Sequence, residues 1–200
     1  MTKAEIARRQ LGAALDMFLR GQDPVSVHCL AMAGCEIAEW LAENAGAKAF
    51  KTHILTNVPD TNIKEIRRLQ RQYWNAFKHA TERDGKDRED DELLRTFNPD
   101  VNDHMLYIGW RDYGMAGLAL PIEAQVFEPW YLAKYPEKLS SEASLAGIDH
   151  VFPNLSRLSS DEQHEKLAEA IAKWRQYVAV MEHPGTDRRP LVMQWRQTER

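Results

Sequence analysis

The chain is poor in cysteine, with only Cys29 and Cys35 among 200 residues. The two stand six apart in a segment of helical pattern, a rotation of about 240° that turns them to different sides. They do not pair within that helix, and no Cys-x-x-Cys exists for redox or zinc chemistry. A disulfide scaffold is therefore excluded, and both thiols read as small hydrophobes of a protein kept in a reducing cytoplasm. No run of about 18 uncharged apolar residues occurs, so no membrane span is expected. Charges at Lys3, Glu5, Arg8 and Arg9 recur too early for the apolar core of a secretory signal. Gly-x-Gly-x-x-Gly, Walker A, His-Glu-x-x-His and Gly-x-Ser-x-Gly are all missing, which removes the usual dinucleotide, P-loop, zincin and serine-elbow readings. Alternating β-branched runs with hairpin turns are missing too, as are internal repeats. A net charge of −4 argues against an unselective nucleic-acid coat protein.

What is present is helical. The chain is 44% hydrophobic and 28% charged, ordinary values for a globular protein. Thr2 to Glu5 is a capping box, after which Ala7, Leu11, Ala14, Leu15 and Phe18 recur at helical spacing up to Gly21. Asp23-Pro24 offers an N-cap and a proline at the first helical position. From Val25 to Ala42 only His28, Glu36 and Glu39 can carry charge, and small residues abound. A helix apolar on most sides is buried among others, so this is the expected central helix.

A short apolar piece runs from Phe50 to Leu55, and Val58 to Thr61 reads as a break with a new cap. Residues 61–80 form an amphipathic helix with Ile63, Ile66, Leu69, Tyr73, Phe77 and Ala80 as its stripe. Residues 81–92 are almost wholly charged, a solvated loop or helix extension. Further helices are expected over 101–119, 121–135 and 159–181, the last opened by a capping box from Ser159 to Glu162. Residues 136–158 show no clear pattern. Trp110, Trp130 and Trp174 occupy stripe positions and read as core. The expected fold is an all-α bundle of about six to seven helices. Residues 1–120 would form an up-down core. Residues 121–200 would be a helical extension packed on it, ending in a basic tail with Arg188, Arg189, Arg196 and Arg200 around Trp195.

One helix carries chemistry. On the side opposite Ile66, Tyr73 and Phe77, the spacing places Arg68, Gln72, Asn75 and His79 in a polar column, with Arg71 and Lys78 adding positive charge. Guanidinium groups hold phosphate bidentately, and an imidazole exchanges protons near neutral pH. Such a column suits an anion, an RNA phosphodiester among them, and equally an ordinary solvated face. In the preceding helix Glu36 needs a partner, for which an arginine or histidine of 61–80 is expected. His28 lies about 12 Å from Glu36 along the helix axis, too far to share one metal ion. It reads as a buried histidine held by one hydrogen bond. No metal or other cofactor is called for.

Asn75-x-x-x-His79 late in an amphipathic helix of an α-bundle resembles the HEPN superfamily. There an Arg-polar-x-x-x-His motif is brought together by dimerisation into a ribonuclease site, and many members serve toxin–antitoxin and phage-defence systems. Asn75 matches the polar position and His79 the histidine. Trp74 stands at the arginine position, with Arg71 one turn earlier. The resemblance implies a homodimer in which His79 acts as acid or base, Asn75 orients it and Arg71 stabilises the phosphorane. Arg68, Gln72 and Lys78 would add binding, with Glu36 and His28 behind them. Non-catalytic members, which bind ligands or protein partners, fit the same helix pattern.

Overall fold

A computed structural model describes residues 1–57, 62–82, 84–138 and 142–194. The break read at Val58 to Thr61, and Trp195, Arg196 and Arg200 of the tail, lie outside the described residues. The chain is all-α, with ten α-helices and one two-residue parallel strand pair among the described residues. It divides into two compact units, Met1–Gly117 and Leu118–Arg200, three residues before the expected boundary.

The first unit begins with α1 (Lys3–Leu19) and α2 (Pro24–Asn44). Both start as their sequences dictate. The Thr2 hydroxyl accepts from the Glu5 N–H at 3.2 Å while Glu5 accepts from the Thr2 N–H at 2.6 Å, and Asp23 accepts from the Ser26 N–H at 2.8 Å. Gly21 takes φ of +60°, a conformation glycine adopts without penalty, and α2 folds back on α1. By length and composition α2 could cross a membrane. Here Val27, Ala31, Ala38 and Ala42 are buried as it packs on α1 and on α6 (Val101–Met115), which accounts for its apolar character. Leu11 of α1 sits where Gly34 of α2 and Gly109 of α6 leave room. A β-carbon on either glycine would fall within 2.6 Å of a Leu11 side-chain carbon. Cys29 and Cys35 are both free thiols. Cys35 is buried, donates to the Met105 carbonyl at 3.0 Å, and burial pushes its thiol far above the usual range.

Two shorter helices, α3 (Phe50–Asn57) and α5 (Asp91–Arg95), flank α4 (Ile63–Lys78). α3 takes its first-turn partner from a distant element: Phe50 donates its backbone N–H to Asp112 Oδ1 of α6 at 2.7 Å. Burial pushes the Asp112 carboxyl up to about 6, against the pull of that N–H. A folded-state value above the unfolded one means stability that is complete below about pH 4 and is lost as pH rises through about 6. Asp112→Asn keeps an acceptor for Phe50 and removes the titration. The variant's advantage over wild type should therefore grow by an amount on the order of 2 kcal/mol between pH 4 and pH 8, measured by urea unfolding of both proteins. A difference independent of pH would contradict the burial of this carboxylate.

The second unit holds α7 (Ile122–Lys134), α8 (Glu142–Val151), α9 (Ser160–Trp174), α10 (Val178–Met181) and the strands β1 (Leu120–Pro121) and β2 (Thr186–Asp187). Its core is Trp130, Phe127, Leu155 and Leu167, all at most 1% exposed. The Ser159–Glu162 capping box forms, with Ser159 accepting from the Glu162 N–H. Three expectations need correction. The helix expected over 159–181 breaks after Trp174, where Arg175 and Gln176 form a turn and Tyr177 is extended before α10. Val178 is consequently 66% exposed, and Trp174 is half-buried rather than core. The unpatterned stretch 136–158 contains α8 and two short 3-10 turns. The helix expected to 119 stops at Met115 because Gly117, at φ +77°, leaves the helical region.

Candidate functional site

α4 has the expected phase. Asn62 caps it by accepting from the N–H groups of Lys64 and Glu65 at 3.0 and 3.1 Å. Ile66 and Tyr73 are buried, and Phe77 is half-buried. Leu69 departs from the stripe and is 50% exposed, since its direction lies about 60° from that of Ile66. The helix ends at Lys78. His79 is its C-cap, with extended φ and ψ of −123° and 120°, and only its backbone N–H remains tied to the helix, at 3.0 Å from the Asn75 carbonyl. The imidazole thus belongs to the chain leaving the helix and is exposed.

The charged stretch that follows is a hairpin-like turn, a signal present in Asp84-Gly85 and read in the sequence only as a loop. Gly85 takes φ of +86°. Glu82 N–H donates to the Lys86 carbonyl at 2.7 Å and Arg88 N–H to the Ala80 carbonyl at 3.1 Å. Between this turn and the end of α4 lies an open basin of about 1080 Å³ bordered by Asn75 and His79 and by Glu82, Asp84, Asp87 and Glu89. Its two cations face acids. Lys86 lies 2.9 Å from Asp84, whose carboxyl it holds below the usual range. Arg88 pairs with Asp90 at 2.5 Å, with the same effect, and with Glu82 at 3.2 Å. Among the described residues the surface beside His79 is accordingly acidic.

The remaining column residues are dispersed. Arg68 is exposed and forms a two-point pair with Glu65 at 2.6 and 2.9 Å. Arg71 turns toward α2 and meets Glu36 at 2.7 Å, the partner expected for that acid. Both members remain about two-fifths exposed, so the pair is half-open rather than buried. Lys78 stands 3.6 Å above the Trp74 ring, the residue at the motif's arginine position. Gln72 is half-buried between the two faces. The structure therefore brings Asn75 and His79 to one basin and Arg71 to another element.

His28 is 2% exposed and serves the interior. Asn102 donates to the Pro24 carbonyl at 2.9 Å, so its oxygen faces His28 Nδ1 at 3.0 Å and the histidine carries its proton there. The rings of Tyr73, Phe77 and Phe97 surround it edge-on at 5.8 to 6.2 Å. Burial lowers its pKa against the pull of Asn102. It is the buried histidine with one hydrogen bond that the sequence suggested, and it joins α2, α4 and α6. Among the described residues no three His, Cys, Asp or Glu side chains gather as a metal site. Comparison with protein-family models, with curated proteins and with solved structures finds no match for this chain.

Proposed function

We propose that this protein binds RNA along the outer face of α4, as a HEPN-like helical protein acting as a homodimer in the cytoplasm. The observation that carries the reading is the charge of that face. Lys64, Arg67, Arg68, Arg71 and Lys78 project within an arc of about 100° along some 21 Å of helix, and all but Arg71 are exposed. A ridge of this kind follows a phosphate backbone without reading bases. Glu65 and Glu36 already face Arg68 and Arg71, and exposed pairs of this kind are worth about 0–1 kcal/mol, little enough for phosphate to displace. The acidic basin beyond His79 ends the ridge, so a strand engages the helix and not the hairpin.

Binding is the activity one copy of the chain supports. Hydrolysis needs a cation at the phosphorane beside His79, and in this chain Arg71 is engaged by Glu36 instead. A second copy supplying that charge would complete the arrangement, with His79 exchanging the proton and Asn75 orienting it. The test is anisotropy of a labelled single-stranded RNA between about 50 and 200 mM salt. Affinity should fall steeply with salt and be lost in Arg67→Glu/Arg68→Glu. His79→Ala should keep binding and thermal stability while removing any cleavage. Salt-independent binding, or wild-type affinity in the double charge reversal, would overturn the reading.

A second reading rests on the four carboxylates of the basin, which suit a basic segment of a protein partner. In that case Glu82→Lys/Asp87→Lys abolishes capture of a lysine-rich peptide and leaves RNA affinity unreduced.

A further inference from the structure

The second unit contains a concavity unrelated to α4. It encloses about 550 Å³, within the range of small-molecule sites, and its walls come from two sources. One is the end of α8 and the turn after it, which contribute Phe152, Pro153, Leu155 and Leu158. The other is one face of α9 and the turn beyond. There Lys166, Ala170, Lys173, Trp174 and Tyr177 follow one another at helical spacing. The indole of Trp174 and the ring of Tyr177 stand 6.0 Å apart, and Tyr177 remains 49% exposed although it lines an apolar cavity.

The charged groups on this lining are unequal. Lys166 is held by Glu169 at 2.7 Å. Lys173, two turns further along the same face, has no acid partner among the described residues. The lining thus combines a hydrocarbon interior with one uncompensated ammonium group, and its formal charge is positive by one with histidine neutral. A cation is repelled by that ammonium whatever its tail, and a small polar anion leaves the apolar walls wet. An amphipathic anion satisfies both.

We propose that this cavity is a binding site for an amphipathic monoanion of the aliphatic carboxylate class, its chain lying against Phe152, Leu155, Leu158 and Trp174 and its carboxylate meeting Lys173. The site is built from residues of the second unit alone, and it stands or falls independently of the RNA-binding reading.

Titration calorimetry of the full chain with decanoate, decyltrimethylammonium and decanol tests the assignment. Decanoate should bind saturably at one site per chain and more tightly than either other probe. Lys173→Gln should weaken it about fivefold, the size of one partly exposed ion pair, and leave decanol unaffected. Ala170→Trp, which fills the cavity from α9, should abolish decanoate binding. Decyltrimethylammonium binding as tightly as decanoate, unchanged decanoate affinity in Lys173→Gln, or no saturable binding would each overturn the proposal. Should Ala170→Trp fail to fold, the Lys173→Gln and probe comparisons decide alone.

Discussion

Trp130→Ala is expected to lower stability by about 3–5 kcal/mol. Trp130 is wholly buried, lies 5.2 Å from the Phe127 ring, and is the largest fully enclosed side chain among the described residues. Its indole N–H also donates to the Gln163 carbonyl at 2.8 Å, in the first turn of α9. Gln163 is itself a brace: its side-chain amide donates to the carbonyls of Leu155 and Leu158 at 3.1 Å each. Truncation therefore opens a large cavity and frees a contact that anchors α9 to α7. Trp130→Phe separates these effects. It keeps most of the ring volume and drops the N–H, and should cost about 1–3 kcal/mol. Urea unfolding followed by circular dichroism reads both values. A loss below about 1 kcal/mol for Trp130→Ala, the level typical of an ordinary substitution, would contradict the central place given to this residue.

Leu11→Ala carries a similar cost in the first unit, about 3–5 kcal/mol, because Leu11 is 0% exposed and fills the space between three helices. The reciprocal change is informative. A methyl group on Gly109 would sit 2.5 Å from Leu11 Cδ2 and 2.8 Å from Cys35 Sγ. Both neighbours are buried, so either must shift within a filled core to admit it. Gly109→Ala should therefore destabilise by about 1–3 kcal/mol, even though alanine is the better helix former by up to about 1 kcal/mol. In the double variant the shortened residue 11 vacates the space the new methyl needs. The combined loss should fall short of the sum by at least about 1 kcal/mol. Strict additivity in that double-mutant cycle would mean that α1 and α6 do not meet at these two residues.

Several features of the outer face of α4 were readable from residue order. The inward direction of Ile66 and Tyr73 and the outward direction of Arg68 follow from a rotation of 100° per residue and need no partner helix. The partner of Glu36 followed from a different principle, that an acid in a nearly apolar helix requires a counter-charge, and Arg71 supplies it. His79 was misplaced because helix ends depend on what the next residues do. Here residues 80–88 turn back on themselves, and the competing hydrogen bonds of that turn draw the chain out of the helix at Lys78. The acidic lining of the basin was hidden for the same reason. A run of mixed charge has no geometry until the turn at Gly85 places Glu82, Asp84, Asp87 and Glu89 beside the imidazole.

Local rules were sufficient for the all-α class, for the caps at Thr2, Asp23 and Ser159, and for the apolar character of α2. Each depends on groups within a turn or two of one another, so the energy that decides it is written in adjacent residues. The tertiary structure alone decided three other matters: that Arg71 leaves the polar column for Glu36, that Asp112 serves the start of α3, and that Leu11 is received by Gly34 and Gly109. These contacts join residues 23 to 98 positions apart in the chain. Their strength comes from desolvation and close packing, which exist only once the helices have met.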